Sequence, residues 1–144
     1  MAEAPLVLVG IDGSDPARTA LVWAADYAHA VGARVLVVYA WEPAAVWMGY
    51  PYVPDPDESA PEESLREVRR QVDATLAEAG HSDVPIEVEF RRGNPAEVLV
   101  DASAQAALVV VGRRGGGGFA AAIMGSVGRH VSSHASCPVV VVPH

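Results

Sequence analysis

Runs of aliphatic, often β-branched residues alternate along the whole chain with stretches whose apolar positions recur every three to four residues. The first run, Leu6 to Ile11 (LVLVGI), contains no polar residue, as expected of a strand buried on both faces of a parallel sheet. The stretch after it places Leu21, Ala24, Ala25 and Ala28 on one helical stripe, with Asp15 a candidate N-cap, Pro16 suited to the first turn and Gly32 to the stop. RVLVVYA (34–40) reads as the second strand. PEESLREVRRQVDATLAEAG (61–80) reads as a charged amphipathic helix, and PIEVEFRRG (85–93) as a strand of edge type, alternating in sidedness. NPAEVLVDASAQ (94–105) predicts a short helix capped by Asn94 with Pro95 in its first turn. ALVVVG (107–112), GSVGRHVSSHA (125–135) and CPVVVVP (137–143) predict a fourth strand, a fourth helix and a fifth strand.

This β-α-β-α-β-α-β-α-β order predicts an α/β fold over residues 1–144, a single domain with a doubly wound, five-stranded parallel sheet and helices on both faces. One connection breaks the rhythm. Residues 41–61 are proline-rich and acidic, with Pro51, Pro54, Pro56, Asp55, Asp57 and Glu58 arguing against a helix, and Trp47, Tyr50 and Tyr52 against simple disorder. Connections of that length are lids, binding loops or flexible segments.

Charge and composition narrow the chemistry. Hydrophobic residues make up 51% of the chain, enough for a core, and the net charge of −8 disfavours a phosphate-neutralising nucleic-acid surface. All 10 basic residues are arginine, so a Walker A lysine, a Schiff-base lysine and the strand-end lysine of a phosphoacceptor domain are excluded. No apolar run approaches the ~20 residues of a membrane span. MAEAPLVLVGIDG carries an acid where a signal peptide carries bases, so a cytoplasmic protein is expected. Cys137, the single cysteine, excludes an internal disulfide and reads as a small buried hydrophobe or, less simply, a reactive thiol.

Ligands of open parallel sheets bind beyond the carboxyl ends of the strands, where the winding direction reverses. GIDGS, after the first strand, puts Asp12 there to accept hydrogen bonds from a ligand; Asp12 and Ser14 could equally just cap the first helix. The end of the second strand, at Ala40, offers backbone groups to a planar base. The strongest feature is VVVGRRGGGGFAAAIMGSVG: Val111 and Gly112 end the fourth strand, Arg113 and Arg114 follow, Gly115 to Gly118 open the backbone, and Gly125 and Ser126 stand at the next helix start with Val127. Free amides closing on a helix N-terminus form an anion site. The plainer reading is a flexible loop followed by an ordinary cap. His130 and His134 share a helix face at i, i+4, but no third ligand is evident, so no metal site is expected, and no GxSxG elbow supports a hydrolytic triad.

The Gly-x2-Gly-x9-Gly-Ser spacing of Gly112, Gly115, Gly125 and Ser126 carries a resemblance. Together with VLVGIDGS, GNPAEVLVDASA and CPVVVVP, it makes the chain resemble the universal stress protein family over essentially its whole length. The resemblance implies a Rossmann-like, adenine nucleotide alpha hydrolase-like fold of strand order 3-2-1-4-5 that binds ATP with Mg2+. Position by position, it implies that Asp12 contacts the nucleoside and the Ala40 backbone meets adenine. Val111, Gly112 and Gly115 would approach ribose and phosphates, Arg114 would add a charge, and Gly125, Ser126 and Val127 would hold the phosphates. Two positions depart from the family pattern. Gly128 stands where ATP-binding relatives often carry a hydroxyl, and Gly116 where many have a longer side chain.

The resemblance also implies a homodimer through the last strand, Val139, Val140, Val141 and Val142, whose apolar edge otherwise stays open. An edge strand shielded only by Pro138 and Pro143 is the alternative. The function expected is that of a nucleotide-binding regulatory protein of stress adaptation, not a committed enzyme. A nucleotide-independent dimeric scaffold and a weak ATPase are the competing readings.

Overall fold

A computed structural model of the chain describes residues 4–11, 15–41, 62–113 and 127–143. Five strands form one sheet: β1 (Leu6–Ile11), β2 (Arg34–Trp41), β3 (Ile86–Arg92), β4 (Leu108–Gly112) and β5 (Val139–Val142). The helices are α1 (Asp15–Val31), α2 (Glu62–Ala79), α3 (Pro95–Ser103) and α4 (127–134). All strand pairs are parallel, and the sheet order is β3-β2-β1-β4-β5, as expected. Asp15 opens α1 from within, in the first helical position instead of ahead of it.

Each strand feeds both faces. Odd positions of β1 and β2 (Val7, Val9, Val35, Val37) pack with Leu21, Ala24 and Ala28 of α1 and Val68, Val72 and Leu76 of α2. Even positions (Leu8, Leu36, Val38), with Val109 and Val111 of β4, pack with Leu99 of α3 and Val127 and Val131 of α4. Uninterrupted apolar runs are therefore what β1, β2 and β4 need, since a polar residue at either parity would be buried without a partner. β3, at one edge, turns only Ile86, Val88 and Phe90 toward the core and carries Glu87, Glu89, Arg91 and Arg92 between and after them.

Local chemistry sets the helix ends. Asn94 Oδ1 accepts from the amides of Ala96 (3.0 Å) and Glu97 (3.3 Å), with Pro95 behind it, so α3 starts on a full N-cap. Gly32 and Gly80 close α1 and α2 at φ +72° and +75°, the left-handed conformation that glycine takes without strain. Ser103, buried at the end of α3, donates to the Val100 carbonyl and accepts from the Ser136 amide at 2.9 Å, tying α3 to the turn before β5.

Candidate functional site

The winding reverses between β1 and β4, neighbours in the sheet whose following helices, α1 and α4, lie on opposite faces. Register places the ends of the strands around this point. Ile11 pairs with Tyr39, and β2 continues past that pair to Trp41, so Ala40 emerges beyond the end of β1. Val9 pairs with Val110, which brings the end of β4 level with the end of β1, and Gly112 pairs with Val142 of β5. The Arg113 amide donates to the Val142 carbonyl at 2.9 Å, fixing the direction in which the chain leaves β4.

Of the candidate residues, Ala40, Val111, Gly112 and Val127 are described. Three share one face: Ala40, Val111 and Val127 all belong to the α3/α4 side of the sheet, and Val111 and Val127 are buried. Packing of Val127 and Val131 against the valines of β4 seats the start of α4 over the end of that strand. Among the described residues, a side chain at Gly128 would find its nearest neighbour, Val111 Cγ2, at 4.0 Å. Asp12, Arg114, Gly115, Gly125 and Ser126 lie outside the described residues, as do Gly116 and the segment 42–61.

On the other face, Ile11, Ala17, Arg18, Leu21, Gln71, Val72 and Thr75 line a small groove between α1 and α2. The sheet separates it from Val111 and Val127.

Electrostatics distinguishes surface features from chemistry. Glu67 is held down to about 2 by the hydrogen bond from Arg70 and then that from Gln71, but this trio sits exposed on α2, where such pairs contribute little. Burial pushes the Cys137 thiol up, and the residue packs against the α3/α4 core. It therefore stays protonated and a poor nucleophile, which favours the packing reading over the reactive one. His130 and His134 stack at 4.3 Å on the exposed face of α4.

One constellation has no counterpart in the sequence patterns. His29, in the last turn of α1, meets His81 and Asp83 from the turn after α2, with Asp26 also on His81. His81 and Asp26 are 55 positions apart, and no spacing rule could have joined them. The only sequence hint is a His-x-Asp step just beyond a helix-closing glycine, Gly80.

Comparison with known proteins places this geometry. The profile of the universal stress protein family matches residues 6–143. A universal stress protein of Thermus aquaticus is 36% identical over 140 residues, covering 94% of this chain and 96% of its own length. One from Mycobacterium tuberculosis is 36% identical over 146 residues and 97% of this chain, which spans 49% of that relative. Among solved structures, a universal stress protein in complex with cAMP superimposes with a TM-score of 0.71 at 25% identity, over 98% of both chains. With its order of strands, its two helical layers and its sequence all in agreement, the chain belongs to the universal stress protein family.

Proposed function

We propose that this protein binds ATP, with Mg2+, in the crevice between the carboxyl ends of β1 and β4, and acts as a dimeric regulator of stress adaptation without a committed reaction. The observation that carries the reading is the convergence of Ala40, Val111 and Val127 on one face, with the start of α4 seated over the end of β4. In this reading the Gly125-Ser126 step, which directly precedes Val127 in the sequence, would present its amides to the phosphates. The structural relative that was solved with cAMP holds an adenine nucleotide on the same fold. In this reading Ala40 offers its backbone to adenine, Asp12 holds the nucleoside, and Gly115, Gly125 and Ser126 receive phosphate oxygens, with Arg114 adding charge. Mg2+ bound to the phosphates would neutralise part of their charge. The sequence supplies the cradle with no lysine, so main-chain donors and arginine carry the anion.

Mass spectrometry of nucleotide released from the purified protein, followed by calorimetry with ATP, ADP, AMP and cAMP, tests this. Binding of ATP in the micromolar range or tighter is expected. Protein that carries no nucleotide and shows no thermal shift with ATP and Mg2+ would instead be a nucleotide-independent scaffold. A steady ATP turnover that disappears in folded Ser126→Ala and Asp12→Ala variants would make it an enzyme.

Gly128 offers a gain-of-function check. Among the described residues a Cβ there meets nothing closer than 4.0 Å, so Gly128→Ser should fold normally. The added hydroxyl, at the second residue of α4, is expected to tighten ATP binding by roughly three- to tenfold, the effect of about one hydrogen bond. Unchanged affinity in a stable Gly128→Ser protein would move the phosphates away from the start of α4.

Dimerisation is proposed through β5. The two sheet edges differ: β3 is guarded by Glu87, Glu89, Arg91 and Arg92, whereas β5 is four valines with Val141 41% exposed. Charged edges resist pairing and bare apolar ones invite it. Antiparallel association of Val139–Val142 across a two-fold axis would cover the open side of β5. Val141→Lys is therefore expected to shift the protein from dimer to monomer in light scattering after size exclusion, and an unaltered dimer would place the interface elsewhere.

A further inference from the structure

We infer that His29, His81 and Asp83, with Asp26 behind His81, form a binding site for a divalent transition metal of the zinc class, at the end of the sheet opposite the nucleotide crevice. His29 lies in the last turn of α1, just ahead of β2, while His81 and Asp83 lie in the turn that leads into β3, so the cluster sits at the amino ends of these strands. One donor atom from each of His29, His81 and Asp83 falls within a 4.8 Å set. His29 Nδ1 and Asp83 Oδ2 are already 3.5 Å apart. That matches the edge of a tetrahedron built on bonds of about 2.1 Å, roughly 3.4 Å. The two imidazole rings lie 5.1 Å apart, centroid to centroid. His29 and Asp83 are 56% and 68% exposed, so rotation about their own side-chain bonds can close the remaining gap without moving backbone.

His81 is the anchor. Its side chain is only 13% exposed, its Nε2 is hydrogen-bonded to Asp26, and its Nδ1 is buried with no hydrogen-bond partner among the described residues. In the tautomer that donates its Nε2–H to the Asp26 carboxylate, Nδ1 carries a bare lone pair. A carboxylate on one ring nitrogen and an open lone pair on the other is how proteins prepare histidine for a metal. The donor set of two imidazoles and a carboxylate suits zinc, cobalt or nickel, and disfavours magnesium and calcium, which prefer oxygen alone. A bound ion would fasten the α2–β3 turn to the end of α1 and stabilise the fold by mass action.

The test uses the full-length, metal-stripped protein without added nucleotide, titrated with Co2+ and followed by its visible d–d absorption. The stacked His130/His134 pair could chelate on its own, so a His130→Ala/His134→Ala background isolates the proposed site. One Co2+ per chain with the intense bands of a tetrahedral centre is expected, displaced by Zn2+ and untouched by Mg2+. His29→Ala and Asp83→Ala, both at exposed positions, should each weaken binding at least ~10-fold while circular dichroism stays native. Asp26→Asn, a positioning change, should weaken it by roughly 10- to 100-fold without altering stoichiometry. Weak octahedral-type bands, no absorption at all, or tight binding that survives His29→Ala and Asp83→Ala would each overturn the assignment.

Discussion

Replacing Gly125 by valine is expected to lower ATP affinity by a factor on the order of a hundred or more, equivalent to about 2.7 kcal/mol, while the protein stays folded. Gly125 falls outside the described residues, and the expectation rests on its place in the Gly-Ser step immediately ahead of Val127. Val127, which follows that step, is anchored in the core. A branched side chain there would occupy the space a phosphate needs and block the approach of its oxygens to the amides. Ser126→Ala should cost less, since it removes a single hydroxyl from a charged partner, about 1.5–3 kcal/mol. Calorimetry on both variants, with circular dichroism to verify folding, checks the ranking. A folded Gly125→Val protein that binds ATP as tightly as the wild type would falsify the cradle.

The second large effect is on stability. Gly10, near the end of β1, faces α3, and a Cβ placed on it would lie 2.7 Å from Leu99 Cδ1 and 3.2 Å from Leu99 Cδ2. Leu99 is 3% exposed, locked among Leu8, Val38, Val109 and Val111, so its side chain has no solvent to swing into. Gly10→Val should therefore destabilise by about 1–3 kcal/mol through overpacking, outweighing the gain from stiffening the unfolded chain. Leu99→Ala alone should cost about 2–5 kcal/mol by opening a cavity. Combined, the two changes fill that cavity with the new methyl groups, so the double variant should be more stable than the sum of the singles by at least about 1 kcal/mol. Urea denaturation of the four proteins measures the coupling, and strict additivity would mean that Leu99 does not press on Gly10. The contact also has a functional side. Gly10 sits one residue before the end of β1, so tight seating of α3 on it fixes the end of that strand, and under the proposed function a variant there should also weaken ATP binding.

Much of the architecture is legible because parallel strands buried on both faces have no choice of composition. LVLVGI, RVLVVYA and ALVVVG could not sit at a solvent-exposed edge, and PIEVEFRRG could not sit in the middle. Caps were equally readable: Asn94 and Pro95 at the start of α3, Gly32 at the end of α1. Part of the crevice followed by topology, since the reversal point of a doubly wound sheet is fixed once the strand order is known. What pattern reasoning did not reach were contacts between residues far apart in the chain. Leu99 against Gly10, Ser103 holding the Ser136 amide, and Asp83 beside His29 depend on side-chain length and helix rotation, and periodicity encodes neither.

For this protein, then, the order of apolar and amphipathic segments determined the sheet, its two helical layers and the end of the strands where a nucleotide would enter, because burial on both faces leaves a sequence few alternatives. Tertiary structure alone decided that Ala40, Val111 and Val127 share one face and that two histidines and two aspartates from α1 and the α2–β3 turn converge. Convergence of that kind is set by how two helices lie against one sheet, a relation between distant parts of the chain that no local run of residues contains.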